Sequence, residues 1–138
     1  MRDGKILAID YGTKKIGLAV TDDARLLAFG RGVIDRSKGF PKLVLVLKEL
    51  CLKEHVTQFV FGLAINDDDE GGKEGESAGR VRNFAKKLGL HFPDVKITFI
   101  DESFSSFQAQ QMLRETGRHA QDDELAATII LQRYLDKL

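Results

Sequence analysis

The sequence predicts a three-layer α/β fold around a mixed five-stranded sheet. Three apolar segments before Asp35 are separated by short polar turns, the pattern of an antiparallel meander. Two later apolar segments, Gln58–Ile65 and Val95–Asp101, each follow a helical pattern, as in strand–helix–strand crossovers. Two more helical patterns close the chain, which leaves helices to cover both faces of the sheet.

Lys5–Asp10 reads as the first strand, and "YGTKK" turns the chain. Ile16–Thr21 is the second strand, with Ile16, Leu18 and Val20 on one face. "TDDA" is a turn, and Arg25–Ile34 suits a third strand. "DRSKGFPK" breaks the pattern, and Pro41 fits the first turn of a helix. Leu43, Val46, Leu47, Leu50 and Cys51 give that helix an apolar stripe to about His55. Gln58–Ile65 is apolar almost throughout, as expected of a central strand covered on both faces. "NDDDEGGKEGE" reads as a polar, mobile loop. Ala78, Val81, Phe84, Ala85 and Leu88 then mark a helix ending near Gly89. "VKITFID" is the fifth strand, Phe104–Thr116 a helix, and a last helix runs from about Asp123 to the C-terminus.

The 138 residues fit one domain, 1–138. Basic and acidic residues balance at 21 each, which argues against a uniformly basic coat but leaves room for a local cationic patch. A lone cysteine, Cys51, cannot form an internal disulfide and reads as a small buried hydrophobe in a reducing compartment. No signal-peptide pattern and no membrane-length apolar run is found, so the expected setting is the cytosol.

The acidic residues at element ends carry the functional question. Alternation puts Ile6, Ala8 and Asp10 on one face of the first strand, and Leu7, Ile9 and Tyr11 on the other. Asp10 therefore stands at the edge of a core, where a carboxylate needs a turn to cap or a cation to hold. Asp101 and Glu102 end the fifth strand, and alternation sends them to opposite faces, so only one can share the side of Asp10. Three acids open the last helix, where they favour the helix dipole. Asp123, Ala127, Ile130 and Tyr134 share one helical face, so Asp123 ends the buried stripe, while Asp122 and Glu124 point elsewhere. Such a set suits metal-assisted phosphodiester hydrolysis with Mg²⁺ or Mn²⁺, hard ions that take oxygen ligands.

Four stretches together resemble a known family. "LAIDYGTKKIGLAV" is similar to its opening strand–turn–strand with Asp-x-Gly-Thr, and "FVFGLAIN" to its Val-Gly-Leu-Pro-Leu-Asn segment. "IDESFSSFQAQQML" resembles its Asp-Glu-Arg-x-Thr-Thr stretch, and "DDELAATIILQRYL" its closing Asp-x-x-Ala-Ala helix. The family is YqgF (RuvX), described as Holliday-junction resolvases and as nucleases that process the 5′ end of pre-16S ribosomal RNA. The resemblance implies a ribonuclease H-like fold and a metal-binding catalytic set of Asp10, Glu102 and Asp123. It implies phosphate contacts at Gly12, Thr13, Lys14 and Lys15, with Asn66 at another strand end near the site. Gly17, without a Cβ, permits close approach of a ligand or serves packing. The chain departs from the pattern at Ala64 (Pro in the family) and Ser103 (Arg), keeps hydroxyls at Ser105 and Ser106, and has a shorter, less basic "TGRHAQDD" stretch. Losing the guanidinium at 103 removes a bidentate phosphate or carboxylate partner.

The basic clusters are Lys14–Lys15, Arg80–Lys87 and Arg114–His119, and the helical ones read as solvated faces. If Arg80 and Arg118 reach the rim, they supply non-specific phosphate contacts. His55, His91 and His119 have no ligand spacing. The expected partners are structured RNA, branched DNA and ribosomal precursor particles, and no membrane. The sequence admits two other readings. "IDYGT" also resembles the phosphate loop of actin-like ATPases and sugar kinases, but those need two lobes and one fits here. A non-catalytic nucleic-acid or protein-binding module would have no reason to gather carboxylates where phosphates dock.

Overall fold

The computed structural model describes residues 4–63, 76–101 and 122–138. In chain order these form β1 (Lys5–Tyr11), β2 (Lys15–Thr21), β3 (Ala28–Asp35), a 3₁₀ turn (Arg36–Lys38), α1 (Phe40–Glu54), β4 (Val56–Leu63), α2 (Glu76–Gly89), β5 (Lys96–Asp101) and α3 (Asp122–Asp136). The strands make one sheet in the order β3-β2-β1-β4-β5. β1 pairs antiparallel with β2, and β2 with β3; β1 pairs parallel with β4, and β4 with β5. This is the mixed sheet that the sequence predicts. The helix expected over Phe104–Thr116, the polar loop at 66–75 and the last two positions of the expected fourth strand, Ala64 and Ile65, lie outside the described residues.

The alternation of β1 divides the core in two. Leu7 and Ile9 join Leu43, Val44 and Leu47 of α1 and Val81, Ala85 and Leu88 of α2. Ile6 and Ala8 face the other way, onto Ala127, Ile130 and Leu131 of α3. The sheet is thus the middle of three layers. Phe59 and Phe61 of β4 are fully buried, each stabilising the fold by about 1.5–3 kcal/mol through apolar burial. One polar residue breaks the apolar run of β4. Gln58 is buried, and its Nε2 donates to Thr98 Oγ1 (3.0 Å) and Tyr134 Oη (2.9 Å), tying β4, β5 and α3 together.

Several boundaries differ from the expected ones for local reasons. β3 begins at Ala28 rather than Arg25. Arg25 takes a left-handed conformation (φ 57°), and the Asp22 carboxylate accepts from the Leu26 and Leu27 N–H groups (2.8 and 3.2 Å). That closes a turn where the sequence pattern continues a strand. α1 stops at Glu54 because His55 is left-handed (φ 56°) and its N–H bonds back to the Cys51 carbonyl. β4 therefore starts at Val56, two residues earlier than expected. β5 starts at Lys96, one residue later.

β3 carries a bulge that the sequence reading does not contain. Gly17 and Ala19 of β2 pair with Val33 and Gly30, so Arg31 and Gly32 together oppose Leu18. Gly32 sits at φ 95°, which glycine adopts without steric cost. Its N–H turns out of the ladder and donates to Glu124 Oε2 of α3 (2.6 Å). No helix among the described residues is long and apolar enough to cross a membrane.

Candidate functional site

Asp10 is the penultimate residue of β1, half-buried, and paired in the sheet with the buried Gly17. By alternation it stands on the α3 face, above Ala8 and Ile6. The direction of α3 follows from two anchors. Glu124, near its start, meets Gly32. Gln132, about two turns on, accepts from the Ala28 N–H (3.0 Å) and donates to the Leu26 carbonyl (3.2 Å) at the start of β3. Since β3 runs parallel to β1, the first turn of α3 stands at the end of the sheet where β1 finishes. β5 ends at the same level. Ile9 pairs with Phe61 and Phe61 with Phe99, so Asp101 lies level with Tyr11, two strands away. That is roughly 10 Å across the sheet.

Asp10 is at this edge. Asp101 shares a strand face with Phe99 and Ile97, which pack on the α1/α2 cluster, so it lies on the side opposite Asp10. Glu102, Asn66 and Arg118 lie outside the described residues; of Asp123 only its place as the second residue of α3 is described. Among the described residues, no group of three or more His, Cys, Asp or Glu is placed to hold a metal ion. The donor chemistry at the edge nevertheless suits a hard cation: Asp10 brings carboxylate oxygens, and the sequence after β5 and the start of α3 carry more.

The β1–β2 turn beside Asp10 is braced from the α1 side. Gly12 N–H donates to the Lys15 carbonyl (3.0 Å), so the Gly12 amide is engaged within the turn rather than open to a phosphate. Arg36 Nη1 donates to the carbonyls of Gly12 and Thr13 (both 2.8 Å), and Nη2 to Tyr11 Oη (2.5 Å). Its guanidinium lies 4.3 Å from the Tyr11 ring centroid, and its backbone N–H donates to the Lys14 carbonyl (2.9 Å). Thr13, Lys14 and Lys15 are exposed at the tip. Arg80 is exposed on α2, on the other side of the sheet from Asp10.

Two residues that matter here carry no warning in the sequence. Arg36 sits in a segment read only as a break. The helical stripe points Glu124 away from the sheet, yet it holds the first turn of α3 against β3. The Gly-Arg-Gly run at 30–32 is the signal that could have found the bulge, and with it the partner of Glu124.

A family model described as "RuvX: Holliday junction resolvase" matches residues 4–137. The chain belongs to the RuvX family. A relative from Porphyromonas gingivalis, named "Putative pre-16S rRNA nuclease", is 40% identical over 96% of this chain and 96% of its own length. One of the same name from Bordetella pertussis is 37% identical over 100% of this chain and 98% of its own. Among solved structures, Thermus thermophilus RuvC in complex with a Holliday junction substrate superposes with a TM-score of 0.57, covering 97% of this chain and 94% of that one. At 15% identity that likeness bears on the fold alone, which is the RuvC-like, ribonuclease H-like sheet that the sequence resemblance implies.

Proposed function

We propose that this RuvX-family chain is a divalent-metal-dependent nuclease that hydrolyses phosphodiester bonds in the 5′-end processing of pre-16S ribosomal RNA. The observation that carries it is the meeting of three chain-distant points at one sheet edge: Asp10, the end of β5, and the first turn of α3. The names of relatives 40% and 37% identical over almost the whole chain support the substrate class. Asp101 lies on the α1/α2 face, away from Asp10, so it does not compete with Glu102, the acid that the family resemblance favours.

Asp10, Glu102 and Asp123 are the carboxylates that would hold Mg²⁺ or Mn²⁺, and a bound ion supplies activation of the attacking water and neutralisation of charge on the leaving oxygen. The rest falls to the chain. Lys14 and Lys15 at the exposed turn attract and orient the phosphate backbone. Arg36 keeps that turn from shifting against Asp10, through three hydrogen bonds from one guanidinium. Glu124 keeps the start of α3, and so the position of Asp123, registered on the sheet. The reading places the protein in the cytoplasm with ribosomal precursor particles as its partners. The family description as a resolvase makes branched DNA the second substrate.

The test incubates purified protein with Mg²⁺ or Mn²⁺ and end-labelled precursor rRNA, beside a four-way DNA junction. Cleavage of the RNA is expected, with a loss of about a hundredfold or more in Asp10→Asn and in excess chelator. Undiminished cleavage by Asp10→Asn would overturn the assignment of the site; cutting of the junction alone would move the substrate to DNA.

A further inference from the structure

On the face of the sheet opposite Asp10, a cleft of about 360 Å³ opens between the β1–β2 turn, α1 and α2. That is within the range of small-ligand sites, about 300–1,000 Å³. Its floor is aromatic: Tyr11 stacks on Phe84 (4.4 Å between centroids), and Phe40 meets Phe84 edge-on (6.2 Å). Its rim is cationic. Arg80 and Lys87, seven residues apart on one side of α2, line it together with Arg36 of the 3₁₀ turn. Among the described residues neither Arg36 nor Lys87 has a carboxylate partner. In a chain of balanced charge, 21 against 21, Arg36 and Lys87 bring two positive charges to this rim that no described carboxylate offsets.

The rings narrow the choice of ligand. One face of Tyr11 is covered by Arg36 (4.3 Å) and the ring also stacks on Phe84, while Lys87 Nζ stands 4.2 Å from the Phe40 centroid. Both rings thus already carry a cation, and an anion that pairs with those cations suits the cleft. Arg36 uses three of its five N–H donors on the β1–β2 turn, which leaves two for a ligand. The Asn83 amide, also on the lining, adds a neutral donor.

We propose that this cleft is a phosphate subsite for the nucleic-acid chain, holding a phosphodiester that flanks the one positioned at Asp10. The proposal rests on the nuclease reading above for its substrate, not for its chemistry. Tyr11 follows Asp10 directly and points to the other face, so the carboxylate edge and the cleft share the β1–β2 turn as a common wall. A strand crossing that turn touches Lys14 and Lys15 on the way and reaches both. Arg36 then has two roles: it braces the turn and marks the near end of the subsite.

The test measures binding in an Asp10→Asn background, so that cleavage does not enter. Labelled single-stranded RNA and a four-way junction are titrated by fluorescence anisotropy across a salt series. Arg80→Gln/Lys87→Gln removes two charges from exposed positions on α2 and spares Arg36; Lys96→Gln, at the far end of the sheet, is the control. The double variant is expected to bind at least about tenfold more weakly at low salt. Its slope of log K against log salt should fall by about 0.7–0.9 for each lost contact. The control should match the parent, and the thermal midpoints should agree. An unchanged slope, or no nucleic-acid binding by the parent, overturns the subsite. So does a free nucleoside monophosphate that binds the parent as tightly as the oligonucleotide, because the site then serves free nucleotides. A slope change in a protein that never cleaves keeps the subsite and removes the nuclease reading.

Discussion

Gly30→Ala tests how the start of α3 is held. A Cβ at position 30 would stand 2.7 Å from Glu124 Cδ, 2.8 Å from Cγ and 3.0 Å from Oε2. The side chain is flexible and can swing away, so the steric cost is small. What is lost is the 2.6 Å bond from the Gly32 N–H to the carboxylate. A hydrogen bond to a charged group contributes about 1.5–3 kcal/mol. Replacing Gly by Ala where φ permits returns about 0.4–1 kcal/mol through the unfolded chain. The net destabilisation is therefore roughly 1–2 kcal/mol. Urea unfolding with an unchanged m value reads it directly. The decisive comparison is a double-mutant cycle. In Glu124→Ala the obstacle and the bond are both gone, so adding Gly30→Ala should be neutral or slightly stabilising. The two changes should then couple by about 1.5–3 kcal/mol. Each single variant is also expected to lower turnover, because Asp123 is the neighbour of Glu124, and Glu124→Gln, which keeps an acceptor oxygen, should recover part of both losses. Additive costs across the cycle would refute the idea that Gly30 is small in order to admit Glu124.

Tyr134→Phe leaves one N–H of the buried Gln58 amide without its acceptor, at an expected cost of about 1–3 kcal/mol in urea unfolding. Glu54 lies between Lys5, whose hydrogen bond does most to hold its carboxyl below the ordinary 4.5, and Arg31, with burial pushing the other way. A depressed acid stabilises the fold above its unfolded value and loses that contribution as pH falls through the folded one, so Glu54→Gln should flatten the loss of stability below about pH 4.5. Burial pushes the Cys51 thiol up to about 11, so at pH 8 alkylation of the native protein should be far slower than in denaturant.

The fold was legible because its elements carry strong periodic signals. The stripe Ala78, Val81, Phe84, Ala85, Leu88 is the buried face of α2 without exception. Ala127 and Ile130 are the buried face of α3, with Tyr134 at its margin. Boundaries were less legible, since they are decided by single left-handed residues, Arg25 and His55, that periodicity does not register. In α1 the apolar run "LVLVL" has no polar residue to mark its outward side. Val44 is buried where the expected stripe has Val46, which is only packed against the core.

The place of Asp10 was legible because it depends on one strand, and placements that depend on two were not. Alternation within β1 was enough to put Asp10 with Ile6 and Ala8, and α3 does cover that face. It could not choose between Asp101 and Glu102, because nothing in β5 alone says which of its faces matches which face of β1. What the structure adds is the pairing across β4, where Ile9, Phe61 and Phe99 fall in one row and carry Asp101 to the α1/α2 side. Arg36 and Glu124 belong to the same class. Each acts through a partner distant in sequence, the Gly12 and Thr13 carbonyls for one and the Gly32 amide for the other. Backbone donors and acceptors exist at every residue, so no sequence pattern singles out the one that a side chain will meet. What can be read in advance is the irregularity that frees such a group from its ladder. Here that is the second glycine of Gly-Arg-Gly, whose positive φ releases the N–H that anchors the helix bearing Asp123.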